Sequence, residues 1–320
     1  MKLGLDIGYG DVKAVYRCEG RLSMTKFPTA IAYAEQSVGE LSEFTENEEY
    51  EYGSKRYLVG KQALFGAFST RSYEFMKRYL PLFVFKIVKD INARTGETVT
   101  EIALGLPLSY YTGANIKELT PLLERIEVGR TVLEPKVRFY PQGLGVLADY
   151  RLSEYGSVNQ QTDEDMLIVD IGFNTVDVVV AERGKIVKSE SETMERHGVA
   201  KIVLALTKDI KSLMQIDLSE QEAKDVLCHG KIKLYGAERD LTELIRESSE
   251  NYADWLMQEV RSKWAARIQR VERVIIAGGG AYYLKDHIPA EYHSITYIPD
   301  LPEYANARGF LKALDMESRT

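Results

Sequence analysis

One phrase occurs twice in this chain. Residues 5–16 read LDIGYGDVKAVY, and residues 169–180 read VDIGFNTVDVVV. Superposed at an offset of 164, Asp6 meets Asp170, Ile7 meets Ile171, Gly8 meets Gly172, Val12 meets Val176 and Val15 meets Val179, while Tyr9 faces Phe173. In each copy one apolar run enters Asp-x-Gly and another leaves it. That pattern predicts strand, tight turn, strand, with an acid at the mouth of the hairpin. The glycine two residues after the acid lets the backbone turn sharply and come close to a ligand. A single hairpin of this kind is a common turn. A duplicated one predicts a duplicated fold, two similar half-domains facing each other across a cleft. Turn amides could then grip a polyphosphate, and the two carboxylates could hold the metal it carries.

Composition narrows the setting. A chain of 320 residues can bury two cores, and 45% hydrophobic with 28% charged residues describes an ordinary globular protein. No apolar run approaches the roughly 20 residues that span a bilayer. The start, MKLGLDIGYG, runs directly into the first strand, so a secretory leader is not expected. Cys18 and Cys228 are too few for a disulfide framework and lack metal-ligand spacing; His197, His229, His287 and His293 are scattered. The expected compartment is the cytoplasm, with no membrane contact. A net charge of −7 argues against broad DNA binding, which needs a basic face to displace counterions. The arginines and lysines at 261, 263, 267, 270 and 273 read as a solvated helix face.

The first half opens with the hairpin at 3–16 and a third strand at 21–27, stopped by Pro28. Residues 35–51 are acidic and read as a solvated loop. A small hairpin and a helix are expected in YEYGSKRYLVGKQAL. Leu80, Phe83, Val84, Ile87, Val88 and Ile91 recur at helical spacing, so 72–94 should be a helix. EIALGLP should be a buried strand, 114–127 a helix, 131–140 a strand, and QGLGVLADYRLSEYG a helix crossing between domains. Ser157–Asp165 has linker composition. After the second hairpin, ERGKIVKSES should form its third strand, and a helix should follow Gly198. A short helix at 219–228 and a long one at 241–268, broken once, come next. VERVIIAGGGAYYL reads as a buried strand, a glycine turn and a helix start. EYHSITYIP is the last expected strand, and PEYANARGFLKAL the terminal helix. The expected domains are 1–156, with the helix 303–315 packed back on it, and 163–302. The expected class is α/β.

Three further segments accompany the duplicated phrase: LGLPLSYY at 104–111, FYPQGLG at 139–145 and VIIAGGGAYYL at 274–284. Their order and spacing resemble the actin-like ATPase superfamily: phosphate loop, connecting segment, catalytic glutamine region, second phosphate loop, adenosine loop. Within it the chain most resembles the ParM/StbA plasmid-segregation actins and similar archaeal actin-like proteins. The resemblance covers most of the chain. It implies two actin-like, ribonuclease H-like domains flanking a nucleotide cleft, with ATP or ADP bound together with Mg2+. GTP stays open, because a glycine loop reads a purine mainly by shape.

The first loop is Asp6-Ile7-Gly8-Tyr9-Gly10-Asp11-Val12-Lys13. Gly8 and Gly10 would turn backbone N–H groups toward phosphate, and Lys13 would add charge from the following strand. Tyr9 stands where many relatives carry a small residue. The second loop departs from the glycine-rich form, with Phe173 and Asn174 after Gly172 and then Thr175. Asparagine tolerates a left-handed conformation better than other non-glycine residues. By resemblance Asp6 and Asp170 hold the metal through its water shell. Gln142 would orient an attacking water without placing a competing charge beside the γ-phosphate. Gly278, Gly279 and Gly280 would give adenine or ribose a flat seat, with Gly198 near the ribose.

The resemblance implies a self-associating filament that assembles with ATP and weakens on hydrolysis, driving plasmid segregation through a DNA-binding adaptor rather than by direct sequence-specific DNA binding. The segment 35–51 and the exposed side of the helix 241–268 are candidate contact regions. Other readings stay open: a small-molecule kinase with the same hairpins, a chaperone ATPase, or a cell-shape or organelle-positioning actin. The kinase would need a catalytic aspartate, the chaperone a peptide-binding domain, and a membrane-bound shape-determining actin an apolar anchor. None of these is evident in the sequence.

Overall fold

A computed structural model describes residues 1–34, 48–64, 66–68, 72–158 and 163–319. It divides the chain into Met1–Thr162 with Tyr304–Thr320, and Asp163–Glu303. Most of the acidic segment 35–51 and part of the expected linker lie outside the described residues.

The first unit starts with β1 (Lys2–Ile7), β2 (Asp11–Cys18) and β3 (Arg21–Pro28). Then come β4 (Ile31–Tyr33), β5 (Tyr50–Tyr52) and β6 (Lys55–Val59), a small separate sheet. A single 3-10 turn, Gly60–Ala63, follows where a helix is expected. The helix α1 (Tyr73–Thr95) is bounded by chemistry visible in the sequence. Ser72 accepts from the Phe75 N–H at its start, and Gly96, at φ 72°, ends it in the left-handed region. Then follow β7 (Glu101–Leu106), α2 (Gly113–Glu124), β8 (Ile126–Val128), β9 (Thr131–Leu133), β10 (Lys136–Pro141) and α3 (Leu144–Arg151). The expected helix 114–127 therefore stops early, and the expected strand 131–140 is two strands. Gly129, at φ 58°, turns β8 back on β9, and Pro135, which lacks an N–H, separates β9 from β10. The segment expected to cross between domains forms α3, which packs on α8 and β10.

The second unit holds β11 (Met166–Ile171), β12 (Thr175–Glu182), β13 (Lys185–Ile186), β14 (Glu192–Glu195), α4 (Ala200–Met214) and α5 (Glu220–His229). The expected third strand breaks because the Ser191 hydroxyl accepts from Val180 N–H (3.0 Å) and donates to Val187 O (2.8 Å) between β13 and β14. A hairpin not expected from the sequence, β15 (Lys231–Leu234) and β16 (Ala237–Asp240), precedes α6 (Thr242–Ile268). The one break in α6 falls at Trp264, at φ −118° and ψ 18°, and its indole N–H donates to Glu190 O at 2.9 Å. β17 (Arg273–Ala277), α7 (Ala281–Leu284) and β18 (Thr296–Tyr297) complete the unit. Only two residues of EYHSITYIP are strand.

The two central sheets repeat one topology. Among the described residues the first runs β10-β7-β1-β2-β3, and the second runs β18-β17-β11-β12-β13, with β14 also on β12. In both, the opening strands are antiparallel and the later ones join in parallel. The registers coincide as well. Asp6 faces Lys13 and Ile7 faces Val12; Asp170 faces Asp177 and Ile171 faces Val176. The fold is two-domain α/β, each half built on the same strand order.

The last helix, α8 (Ala305–Glu317), belongs to the first unit and is buried along most of its length. Glycines let its backbone come close. A Cβ on Gly4 would stand 2.0 Å from Ala307 O, and one on Gly309 would stand 1.7 Å from Gly145 O. Beside this crossing Asp149 accepts from the Arg308 guanidinium (Nε 2.9 and 3.0 Å) and lies 2.8 Å from Lys312 Nζ.

Candidate nucleotide site

In the first hairpin the Gly8 N–H donates to Asp11 O at 3.1 Å, so this amide closes its own turn. Thr29 fastens the loop from β3's far end. Its hydroxyl donates to Gly8 O (2.6 Å) and its N–H to Gly10 O (3.1 Å). Asp6 is buried at the end of β1. Lys13 Nζ lies 3.2 Å from its Oδ2, and Gln142 Nε2 donates to its Oδ1 at 2.8 Å. Three residues expected to act separately are thus one hydrogen-bonded group. Gln142 is also fixed from behind: its N–H donates to Leu106 O (2.7 Å), and the next N–H, of Gly143, donates to Asn306 Oδ1 of α8 (3.1 Å). The Tyr9 ring packs against the core of this unit.

The second hairpin closes in the same way, with Gly172 N–H donating to Thr175 O at 2.9 Å. Asn174 is not among the residues with positive φ, so the turn does not use the left-handed tolerance expected of it. Its carbonyls do other work. Gly172 O, Phe173 O and Asn174 O accept from Val199, Ala200 and Gly198 N–H at 3.1, 2.7 and 3.3 Å. Donors at the start of α4, which have no partner inside the helix, are thereby satisfied by the hairpin. Gly198 must be glycine because a Cβ there would stand 2.4 Å from Gly172 O. The same segment is held by the Tyr252 hydroxyl, which donates to His197 O at 2.9 Å; burial pushes its pKa upward, so it remains a donor.

The glycine run divides by role. Gly278, at φ 79°, would set a Cβ 2.3 Å from Ile171 O and 2.6 Å from Asp170 Oδ1. Its N–H donates to Pro302 O at 3.0 Å, and Gly280 N–H donates to Ile171 O at 2.9 Å. A Cβ on Gly280 would overlap the Ile171 side chain at 2.0 Å. Gly279 alone faces open space. The loop is therefore clamped to the end of the strand that carries Asp170, with one glycine presented outward. Tyr283, just beyond it, is pushed up to about 12 by burial and stays neutral.

Within the first unit the structure assembles Asp6, Lys13 and Gln142 with the Gly8–Gly10 turn. Within the second it assembles Asp170, Gly172, Asn174, Thr175, Gly198 and Gly278–Gly280. Thr29, Asn306, Asp177 and Thr193 were not anticipated. Asp177 is buried opposite Asp170 and accepts from the hydroxyls of Thr193 and, at 3.5 Å, Thr175. Its place seven residues after Asp170, where the first copy has Lys13, was the available signal.

Among the described residues no three His, Cys, Asp or Glu side chains group as direct metal ligands. Both Asp6 oxygens already have protein partners. A divalent metal at Asp6 would therefore be reached through its water shell rather than by direct ligation. The basic face of α6 is ion-paired: Arg261 with Glu291, Lys263 with Glu192, and Arg267 with Glu182 and Glu190. Among the described residues no helix is long and apolar enough to cross a membrane.

Two family models match in sequence. Residues 4–145 match the N-terminal domain of actin-like proteins, and residues 168–290 match the C-terminal domain of the MreB-like archaeal actin homologue. The chain belongs to the actin-like superfamily. Solved actin-like structures share its fold over full length. A subunit of a 15-stranded ParM filament from Clostridium botulinum matches with a TM-score of 0.74 at 19% identity, covering 99% of each chain. The archaeal actin homologue Ta0583 in complex with ADP matches with a TM-score of 0.74 at 19% identity, covering 100% of each. Bacillus thuringiensis ParM with ATP matches at 0.70 and 16%, covering 99% of each. No curated protein sequence matches the chain.

Proposed function

We propose that this actin-like protein binds and hydrolyses ATP with Mg2+ and assembles into a filament while the triphosphate is bound. The observation that carries the reading is the repetition of one hairpin at one register in two sheets of one topology, each with a buried aspartate at the strand end. The outward-facing Gly279 beside the second hairpin supports a purine seat there. Relatives of the same fold whose structures contain ADP or ATP, and one that forms a filament, support nucleotide binding and self-association.

In this reading Lys13 neutralises phosphate charge, Asp6 and Asp170 hold the water shell of the metal, and Gln142 orients the attacking water. The water oxygen bonds to the γ-phosphorus while its O–H bond breaks and the proton passes to a phosphate oxygen, the bond to the β–γ bridging oxygen breaks, and ADP and phosphate leave. The metal supplies charge neutralisation on the phosphates. A net charge of −7 and an ion-paired basic helix favour cargo attachment through a DNA-binding adaptor, with plasmid segregation as the task and the cytoplasm as the setting.

Two variants test the division of labour. Asp170→Ala should weaken nucleotide binding and slow hydrolysis together. Gln142→Ala should leave affinity near the parent value and slow hydrolysis by about tenfold or more, or about 1.4 kcal/mol of barrier. Hydrolysis of ATP by Gln142→Ala at the parent rate would refute the water-orienting role. ATP and GTP are measured in parallel.

A further inference from the structure

We infer that Asp6 is a positioning residue for Gln142, fixing which end of its amide faces the reacting water; this rests on the hydrolytic reading above. A carboxylate only accepts hydrogen bonds. At 2.8 Å from Asp6 Oδ1, the Gln142 side chain must present its NH2 group, because a carbonyl oxygen there would face a like partial charge. The NH2 is thus turned inward, and Oε1 is turned away from Asp6. Among the described residues no side chain or backbone group donates to that oxygen. Gln142 is therefore set to accept from a water proton rather than to donate to the water oxygen. That leaves the lone pair of the water free for attack on phosphorus.

The surroundings restrict the alternatives. Lys13 occupies Oδ2 of Asp6 at 3.2 Å, so Gln142 meets the other oxygen. The backbone beneath Gln142 is held by Leu106 O and by Asn306. Its Cγ lies 3.5 Å from where a Cβ on Gly105 would stand, so the stem runs close along β7. Asp6 and Lys13 are the charged side chains of this hydrogen-bonded group, with Asp11 in the same turn; Leu106, Gly105 and Asn306 are neutral. A group held on its backbone and at one end of its amide is preorganised, and preorganisation is what a water-orienting residue needs.

The first test uses nucleotide-free protein and the side-chain amide signals of Gln142 in 15N-edited NMR. In the parent, the Nε2 protons should exchange slowly with solvent and be strongly inequivalent. In Asp6→Ala they should move to the values of an exposed glutamine. If Asp6→Ala does not fold, Asp6→Asn serves, because the neutral acceptor should shift the same signals part of the way. Fast exchange in the parent, or signals indifferent to both substitutions, would overturn the inference even if the protein is an active ATPase.

The second test is a double-mutant cycle on kcat at saturating Mg-ATP. If Asp6 acts on the chemical step through Gln142 as well as through the metal, its substitution should lower kcat by a clearly smaller factor in Gln142→Ala than in the parent, the difference being the coupling between the two residues. Fully additive losses in kcat would overturn it. A parent chain that hydrolyses neither ATP nor GTP would defeat the proposed function instead, and the NMR result would still decide how the amide is turned.

Discussion

Replacing each glycine of 278–280 with alanine separates structure from binding at a single loop. At Gly278 the added methyl group meets two obstacles. The residue is at φ 79°, a conformation that disfavours a side chain by roughly 1–2 kcal/mol. The methyl would also stand 2.3 Å from Ile171 O and 2.6 Å from Asp170 Oδ1, and making room in a packed site typically costs about 1–3 kcal/mol. The expected loss is therefore about 2–5 kcal/mol, accompanied by weaker nucleotide binding because Asp170 is displaced. At Gly280 φ is not left-handed, and only the overlap with Ile171 and a tight approach to Val199 at 3.1 Å apply, for a loss of about 1–3 kcal/mol. At Gly279 nothing lies within 4 Å and φ is not left-handed, so stability should change by no more than about 0.5 kcal/mol. Nucleotide should nevertheless bind at least about tenfold more weakly, or 1.4 kcal/mol, if this surface seats the purine. Urea unfolding followed by circular dichroism reads stability, and titration with a fluorescent ATP analogue reads affinity. Gly279→Ala that unfolds early, or that binds nucleotide as the parent does, would refute the assignment of roles within the loop.

Other substitutions probe the supports of the site. Asp149→Ala removes the carboxylate shared by Arg308 and Lys312, whose side chains are only 10% exposed, and should destabilise the first unit by about 3–5 kcal/mol in urea melts. Replacing Asp149 and Arg308 by leucine and Lys312 by methionine together should cost much less, since no buried charge is then orphaned. Ser219→Ala should cost about 1 kcal/mol at neutral pH by removing the cap of α5. Hydrogen bonds from Ser219 hold the Glu222 pKa below its usual 4.5. The carboxylate's contribution is complete above that value and fades as pH falls through the depressed one, so thermal melts should show the penalty of Ser219→Ala shrinking as pH falls below 4.5.

The legible parts of the fold were those written in contiguous residues. β1, β2, β11 and β12 announce themselves as apolar runs around Asp-x-Gly, and α1 by the spacing of Leu80, Phe83, Ile87 and Ile91 with Ser72 and Gly96 at its ends. The hairpin β15–β16 was missed because its residues are exposed or only partly buried, so no apolar pattern marks it. At the candidate site the sequence offers residue types but not their partners. Asn306 meets Gly143 across 163 positions, and Asp6 meets Gln142 across 136. Nothing local to Gln142 says that its amide is tied to an aspartate. The position of Gly198 before a helix suggests a ribose contact, but nothing local announces its close approach to the backbone of the Asp170 hairpin, which requires glycine there.

The most direct test of an ATP-driven, self-assembling actin-like protein is sedimentation of the full chain across a concentration series with Mg-ATP, with phosphate release recorded in the same samples and electron microscopy of the pellets. Assembly should begin at a critical concentration, produce filaments, and be followed by phosphate release. In Gln142→Ala, filaments should form and persist longer. A chain that remains monomeric at tens of micromolar, where a contact of roughly 6–7 kcal/mol already associates, with ATP, GTP and a slowly hydrolysed analogue alike, would contradict it.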